Sequence, residues 1–125
     1  MNAATITGHP TIALLGQPNS GKSTLFNGLT GARQRVGNWP GKTVEKKEGY
    51  YIKDGMHYRV TDLPGTYSLS ANSEEEIITR DYITSGEADI VCILADSSQL
   101  SRSLFMLADY AGIECPAVLL LNLVD

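Results

Sequence analysis

The chain has few cysteines, no long apolar run and no extended basic cluster, and each scarcity excludes a class of protein. Cys92 and Cys115 are far apart and in no metal-binding spacing, which predicts reduced thiols in a reducing compartment and not a disulfide framework. The longest apolar stretches, 90–95 and 117–121, are far shorter than a membrane span. No Lys/Arg cluster extends beyond residues 46–47, and the net charge of −4 would repel a nucleic acid, so none is expected as a partner.

What remains is the composition of an ordinary soluble domain. Hydrophobic residues make up 42% of the 125 positions and charged residues 19%, which suffices for one buried core and argues against disorder. Residues 1–10 have neither a basic n-region nor an apolar h-region, so they do not resemble a secretion signal. We expect a flexible tail over residues 1–10 and one domain over residues 11–125.

The order of the predicted elements indicates an α/β fold. Apolar runs predict buried strands at 11–15, 90–95 and 117–121. Apolar residues at helical spacing predict helices at 22–30 and 100–110. A further helix is predicted to begin at the capping box of Ser73 and Glu76 and to end near Gly86. Asp54-Gly55 predicts a hairpin between strands 44–53 and 56–63, while 32–43 and 64–73 read as loops. Strands that alternate with helices predict a mostly parallel sheet covered on both faces, with one hairpin strand as an antiparallel edge.

A phosphate-binding motif lies between the first predicted strand and the first helix. Residues 16–23, GQPNSGKS, fit G-x-x-x-x-G-K-[ST], in which glycines let backbone N–H groups converge on a phosphate. In this pattern Lys22 reaches the β- and γ-phosphate oxygens, and the Ser23 hydroxyl ligates Mg²⁺. A second G-K-T, at residues 41–43, is one residue short and lies between a loop and a strand, so it does not fit the same role.

Two further positions complete the predicted magnesium site. Residues 62–65, DLPG, end a predicted strand, so Asp62 would hold Mg²⁺ through a water and the Gly65 N–H would meet the γ-phosphate. Residues 109–112 also match D-x-x-G, but they lie at the end of a predicted helix. Thr43 precedes Asp62 in the order that such sites require and could supply a second hydroxyl to Mg²⁺; alternatively it is an ordinary strand residue.

Residues 122–125, NLVD, follow the last predicted strand and indicate guanine recognition. The Asp125 carboxylate can accept hydrogen bonds from both guanine N1–H and the 2-amino group. Adenine has an acceptor at N1 and no 2-amino group, so the same carboxylate would reject it.

Together these motifs resemble the N-terminal G domain of FeoB-type ferrous-iron transporters, over residues 11–125. The resemblance rests on the segments 16–25, 32–48, 62–69, 80–86 and 122–125, of which the run GNWPG-x-TVE within 32–48 is the most distinctive. It implies a P-loop NTPase fold with a Ras-like, mostly parallel sheet and one antiparallel edge strand. A complete G domain would continue beyond Asp125, so the resemblance implies that the C-terminal part is missing, with low nucleotide affinity and marginal stability.

The sequence departs from Ras-like enzymes at two positions. Thr66 stands where those enzymes have a water-orienting Gln, and the family resembled is thought to use a bound K⁺ instead, which here would be held by Asn19 and the backbone carbonyls of Gly37 and Trp39. Asn19 could instead only brace the phosphate loop. Leu123 replaces a Lys that packs over the base in many GTPases, and this should weaken binding.

The resemblance and the motifs together define the expected site. The residues expected to act in catalysis are Lys22, Thr43, Asn19 and Gly65. The residues expected to contact GTP are Gly16, Gln17, Pro18, Asn19, Ser20, Gly21, Lys22, Ser23, Thr24, Gly41, Lys42, Thr43, Val44, Glu45, Asp62, Leu63, Pro64, Gly65, Asn122, Leu123, Val124 and Asp125. The expected metal ligands are Ser23, Thr43 and Asp62 for Mg²⁺, and Asn19, Gly37 and Trp39 for K⁺.

The function implied by the resemblance is slow, Mg²⁺-dependent and K⁺-stimulated GTP hydrolysis to GDP and phosphate. It would regulate or drive ferrous-iron uptake by a membrane transport domain in the same parent chain, at the cytoplasmic face, with a possible homo-oligomer formed through the parent. The alternatives are a nucleotide sensor that scarcely turns over and a soluble GTPase of RNA or ribosome maturation. No iron-ligand set is visible, because the only His and Cys residues are the scattered His9, His57, Cys92 and Cys115. Trp39 and Tyr67 could be partner contacts or local packing.

Overall fold

The structure, a computed structural model, describes residues 9–17, 21–66, 73–96, 110 and 116–122. Within them the chain forms two helices of full length and six strands. In chain order these are β1 (Thr11–Gly16), α1 (Lys22–Thr30), β2 (Gln34–Asn38), β3 (Glu45–Lys53), β4 (Met56–Asp62), α2 (Glu74–Thr84), β5 (Ile90–Asp96) and β6 (Ala117–Asn122). The predicted helix at 100–110 lies outside the described residues except for Tyr110, which is helical.

All six strands belong to one sheet in the order β2-β3-β4-β1-β5-β6. The pairs β4–β1, β1–β5 and β5–β6 are parallel, whereas β3 is antiparallel to both of its neighbours. The predicted fold class, a mostly parallel sheet with an antiparallel edge, is therefore confirmed. Parallel strands that lie side by side end at the same edge of the sheet, so the carboxyl ends of β1, β4, β5 and β6 lie at one edge.

The central strand β1 is buried on both sides, which explains its unbroken apolar run. Ala13, Leu14 and Leu15 are fully buried. Leu14 packs with Phe26 of α1 on one face of the sheet, while Leu15 belongs to a cluster on the other face that includes Ile78 of α2. One helix on each face follows from this alternation along β1.

Local turn and cap chemistry is as predicted. Asp54 and Gly55 join β3 to β4 with φ values of 52° and 77°, the left-handed pair that a tight two-residue hairpin requires. The predicted capping box opens α2: the Glu76 amide donates to the Ser73 hydroxyl at 3.1 Å, and the Ser73 amide donates to the Glu76 carboxylate at 3.0 Å.

One element was not predicted. Residues 34–38, read as part of a loop, form the edge strand β2, and that part of the prediction is wrong. All five β2 residues are exposed, so the strand carries no apolar alternation that could have revealed it. Pairing with the β3 backbone stabilises β2 and does not depend on side-chain pattern, and it places β2 outside β3 at the antiparallel edge.

Candidate functional site

The phosphate-binding motif lies where the sequence predicted, between the end of β1 at Gly16 and the start of α1 at Lys22. Gly21 precedes the helix with φ of 91°, a left-handed conformation that favours glycine, and its carbonyl accepts the Leu25 amide at 3.0 Å. The free amides at the start of α1 therefore face the edge of the sheet where the parallel strands end, which is a favourable place for an anion. Pro18, Asn19 and Ser20 lie outside the described residues.

Lys22 and Asp62 form an ion pair at this edge, between the lysine Nζ and the carboxylate Oδ1. Each residue is 8% exposed. The pairing follows from the fold, because Asp62 is the last residue of β4 and lies opposite Leu14 of the parallel strand β1. The groups predicted to hold phosphate and magnesium therefore neutralise each other in this structure.

The chain that follows β4 is fastened to β1 by backbone hydrogen bonds. The Leu63 amide donates to the Leu14 carbonyl at 3.0 Å, and the Thr66 amide donates to the Gly16 carbonyl at 3.1 Å. These two bonds hold the intervening Gly65 at the entrance of the phosphate-binding motif. The D-x-x-G segment and the end of β1 that leads into the G-x-x-x-x-G-K-S motif are thus adjacent in space.

Two polar side chains at this entrance are buried without a hydrogen-bond partner among the described residues. They are Gln17, at both amide atoms, and Thr66, at its hydroxyl. An unpaired buried polar group costs about 1–3 kcal/mol, so such groups are rare unless a ligand pairs with them. Oxygen and amide groups beside Asp62 suit a phosphate with a hard cation such as Mg²⁺. Sequence reasoning had treated Thr66 only as a missing Gln, although its position directly after D-x-x-G was a usable signal.

The segment between β2 and β3 is ordered around Trp39, which is 7% exposed. Its ring packs edge-on against Tyr82 of α2 with centroids 5.6 Å apart, and the Lys46 ammonium lies 4.7 Å from the Trp39 ring centroid. Of the two interpretations of Trp39 from the sequence, this structure shows local packing. The indole Nε1 is buried and has no hydrogen-bond partner in the part of the chain that the structure describes.

A tight turn follows Trp39. The Trp39 carbonyl accepts the Lys42 amide at 2.9 Å, and Gly41, between them, has φ of 70°. The Trp39 amide donates to the Val44 carbonyl at 3.0 Å, which closes the segment onto the start of β3. Thr43, at this closure, is exposed.

The remaining predicted ligands are placed as follows. Ser23 is exposed in the first turn of α1, and Gly37 lies in β2 opposite Lys46. Asn122 ends β6 opposite Asp96, at the same edge of the sheet as Lys22 and Asp62. Residues 123–125, with the predicted guanine-binding carboxylate, lie outside the described residues, as does Tyr67.

Burial raises the pKa of two side chains that lie outside the phosphate motif. Desolvation raises the pKa of Tyr82, whose hydroxyl donates a hydrogen bond of 3.3 Å to the Thr61 hydroxyl that partly opposes the shift. Desolvation likewise raises the pKa of the free Cys92 thiol. Both groups are therefore neutral at physiological pH.

The described residues contain no group of three or more His, Cys, Asp or Glu side chains that could hold a metal ion. None of the helices formed by these residues is long and apolar enough to span a membrane.

Comparison with known proteins places this site in a family. Residues 10–125 match the family described as ferrous iron transport protein B. The Fe(2+) transporter FeoB of Methanocaldococcus jannaschii is 55% identical over 95 residues, which are 76% of this chain and 14% of that protein. The chain therefore spans about a seventh of this curated relative.

Solved structures agree with the family match. The G domain of the T. maritima FeoB iron transporter is 46% identical with a TM-score of 0.86, covering 91% of this chain and 72% of that one. The cytosolic domain of the same transporter, solved in apo, GDP and GMPPNP forms, is 47–48% identical with TM-scores of 0.84–0.85, over 88–90% of this chain and 44% of that one. This chain, with a strand-to-helix phosphate motif facing a strand-end carboxylate, belongs to the ferrous iron transport protein B family and corresponds to its N-terminal G domain.

Proposed function

We propose that the chain binds guanine nucleotides and hydrolyses GTP slowly with Mg²⁺, as the regulatory or driving domain of a ferrous-iron transporter. The observation that carries the proposal is the Lys22–Asp62 pair at the strand-end edge of the sheet, beside the free amides at the start of α1. A cation and a carboxylate in this place match the two charges of a magnesium-bound nucleotide.

When the nucleotide and Mg²⁺ bind, Lys22 and Asp62 each exchange the other for a new partner. Lys22 and the backbone amides of residues 21–24 bind the nucleotide phosphates, and Asp62 binds Mg²⁺. Because each buried charge leaves one partner for another, neither is left unpaired in the bound state. Asn122, at the same edge, and Asp125 would read the guanine base.

The donors fit a hard divalent cation. The Ser23 and Thr43 hydroxyls and the Asp62 carboxylate would hold Mg²⁺, which neutralises charge on the β- and γ-phosphates. The fit rests on these oxygen donors and on the buried Gln17 and Thr66 groups, which lack partners among the described residues at the end of β1.

Slow turnover follows from Thr66. Its hydroxyl is too short to orient water as a Gln does, and the Gly65 amide and Lys22 supply only electrostatic stabilisation of the γ-phosphate. A K⁺ ion held by Asn19 and the carbonyls of Gly37 and Trp39 would neutralise developing charge as an arginine finger does. Engagement of Thr43 would order residues 32–43 in the GTP state.

Phosphate release from GTP, measured with Mg²⁺ in KCl and in NaCl, tests this proposal. We expect faster release in KCl, and release near background for Lys22→Ala in both salts. The matched control is Lys53→Ala, which removes an exposed lysine at the β3–β4 hairpin and should hydrolyse GTP as wild type does. Equal rates in both salts would discard the potassium role. Tight GTP binding without release in either salt would instead favour a nucleotide sensor.

The transport role rests on the family and concerns a parent protein. We propose that residues 11–125 are the nucleotide-binding domain of a longer chain with a membrane transport domain, on the cytoplasmic side of the membrane. Iron uptake by cells expressing the parent with Lys22→Ala should fall to the level without the transporter. Uptake at the wild-type rate would separate GTP chemistry from transport and favour a soluble GTPase role.

A further inference from the structure

Charge is distributed unevenly along this acidic chain. Residues 33–62 contain seven of its ten Lys and Arg residues but only four of its fourteen Asp and Glu residues. These positions form β2, β3 and β4 with their connections, which is one end of the sheet. A protein that is negative overall therefore has a positive end.

The sheet register gathers several of these cations on one face. Paired residues project to the same side of a sheet, and Arg35 is paired with Glu48 while Arg59 is paired with Tyr50. Lys46 lies two residues before Glu48 and so shares this face. We call Arg33, Arg35, Lys46, Glu48, Tyr50 and Arg59 the basic face; they line a cavity of about 360 Å³.

The basic face is partly covered, because the His9 ring packs edge-on against Tyr50 with centroids 5.8 Å apart and the Trp39 ring lies 4.7 Å from the Lys46 ammonium. Arg35 remains exposed and Arg59 partly exposed. The opposite side of these strands is covered by α1, where Phe26 packs against Val60. On the basic side, α2 reaches only the border, where the Tyr82 hydroxyl bonds to Thr61.

The charges on this face are incompletely paired. Lys46 lies 3.8 Å from Glu48, the single acid of the face, and Arg33 donates to the Tyr50 carbonyl at 3.1 Å. Neither Arg35 nor Arg59 has an ion-pair partner among the described residues. Two guanidinium groups are thus available for an anion.

Exposed apolar side chains accompany these cations. Tyr50 is 37% exposed and Ile52 41% exposed, and their even spacing along β3 puts both on the basic side. Val36 and Met56 are also exposed, but they are paired with Lys47 and Lys53 and so project to the opposite face. Cations interspersed with projecting apolar groups suit a surface that is anionic outside and apolar beneath, which is a phospholipid bilayer.

We propose that the basic face docks on an anionic membrane surface, with phospholipid phosphates bound by Arg35 and Arg59 and with Tyr50 and Ile52 entering the headgroup layer. Guanidinium groups form bidentate bonds with phosphate oxygens, and an aromatic side chain is stable at a bilayer interface. The proposal rests on the proposed membrane-bound parent, since a tether would hold the face near the bilayer. The docked face lies beside the nucleotide site and uses none of its groups.

Vesicle co-sedimentation of the 125-residue chain tests this. We expect binding to vesicles containing phosphatidylglycerol, little binding to phosphatidylcholine alone, and weakening by salt. Arg35→Gln and Arg59→Gln should each lower the partition coefficient about five-fold, and the double variant about twenty-five-fold. The control Lys53→Gln removes a cation from the opposite face of β3, and should change the partition less than two-fold.

Several results would overturn the docking proposal. The first is equal binding to both vesicle types, and the second is an equal effect of Lys53→Gln and Arg35→Gln. The third is binding to soluble polyglutamate without binding to vesicles, which would assign the face to an acidic protein. Inorganic phosphate is added as a competitor. If it lowers vesicle binding no more than other salts of equal ionic strength do, the result supports docking on a membrane surface. If low millimolar phosphate displaces the protein from vesicles, the docking proposal is overturned in favour of a small-anion site. GDP affinity is measured for every variant, so normal GDP binding without vesicle binding refutes docking and leaves the proposed nucleotide function standing.

Discussion

Lys22, the first residue of α1, and Asp62, the last residue of β4, are buried against each other as an ion pair. The pair joins the two motifs that sequence reasoning had assigned to phosphate and to magnesium. A buried pair is costly to break on one side, because the remaining charge is left in a poorly solvated place.

The first prediction concerns stability without nucleotide. Lys22→Met should lower the free energy of unfolding by about 3 kcal/mol, because it leaves the Asp62 carboxylate buried and unpaired. Adding Asp62→Asn should restore a large part of that loss. Urea unfolding of the two single variants and the double variant measures the coupling.

An exposed ion pair provides the control for this cycle. Lys47 and Glu45 lie 3.8 Å apart with side chains 39% and 59% exposed, so Lys47→Met should cost less than about 0.5 kcal/mol. Strictly additive losses at Lys22 and Asp62 would show that the pair is not coupled in solution.

The second prediction concerns two glycines of opposite character. A Cβ on Gly49 of β3 would clash with the Arg33 carbonyl and lie 2.8 Å from Thr30 Cγ2, so Gly49→Ala should destabilise the protein by about 1–3 kcal/mol. Gly28 of α1 has open space around it, and Gly28→Ala should stabilise by roughly 0.5–1 kcal/mol. Thermal unfolding compares the two. If Gly49→Ala leaves the thermal stability unchanged, the Arg33 carbonyl lies less close to Gly49 in solution than in this structure.

The third prediction concerns Trp39. Trp39→Ala should cost about 3 kcal/mol, because it removes a buried ring that packs on Tyr82. Trp39→Phe should cost less than about 1.5 kcal/mol, since the lost Nε1 group has no partner to leave behind. Denaturant unfolding followed by circular dichroism distinguishes the two variants. Equal losses would indicate that the indole N–H is paired in solution.

The fourth prediction concerns alkaline pH. Because burial raises the pKa of Tyr82 above its ordinary value of 10.0, the folded protein keeps this proton at a pH where the unfolded chain releases it. The free energy of unfolding should therefore fall as the pH rises above about 10, and less steeply in Tyr82→Phe. Urea unfolding at a series of pH values from 9 to 11 measures both slopes. Parallel slopes would show that the Tyr82 hydroxyl is solvated in the folded state.

The parts of the fold that depend on local chemistry could be predicted from the sequence. The left-handed Asp54–Gly55 hairpin, the Ser73–Glu76 capping box and the start of α1 at Lys22 all follow from residues near one another in the chain. The proximity of Lys22 and Asp62 followed one step further, from the rule that parallel strands end at the same edge.

Other features were out of reach because they depend on distant partners. Strand β2 is exposed on every residue and exists through its pairing with β3, so no apolar pattern marked it. The packing of Trp39 on Tyr82 joins residues 43 positions apart, and the sequence left Trp39 open between packing and partner contact. The basic face likewise appears only when β2, β3 and β4 lie side by side.

The most direct test of the account is titration of the chain with GDP and with ADP in Mg²⁺, for wild type and for Lys22→Ala, at a temperature where circular dichroism shows both proteins folded. We expect wild type to prefer GDP over ADP by about 100-fold or more, since unpaired polar groups penalise adenine. Lys22→Ala should lower GDP affinity by at least about ten-fold through loss of a charge-assisted phosphate contact. Unchanged GDP affinity in folded Lys22→Ala would contradict the assignment of this strand-to-helix junction as the nucleotide site.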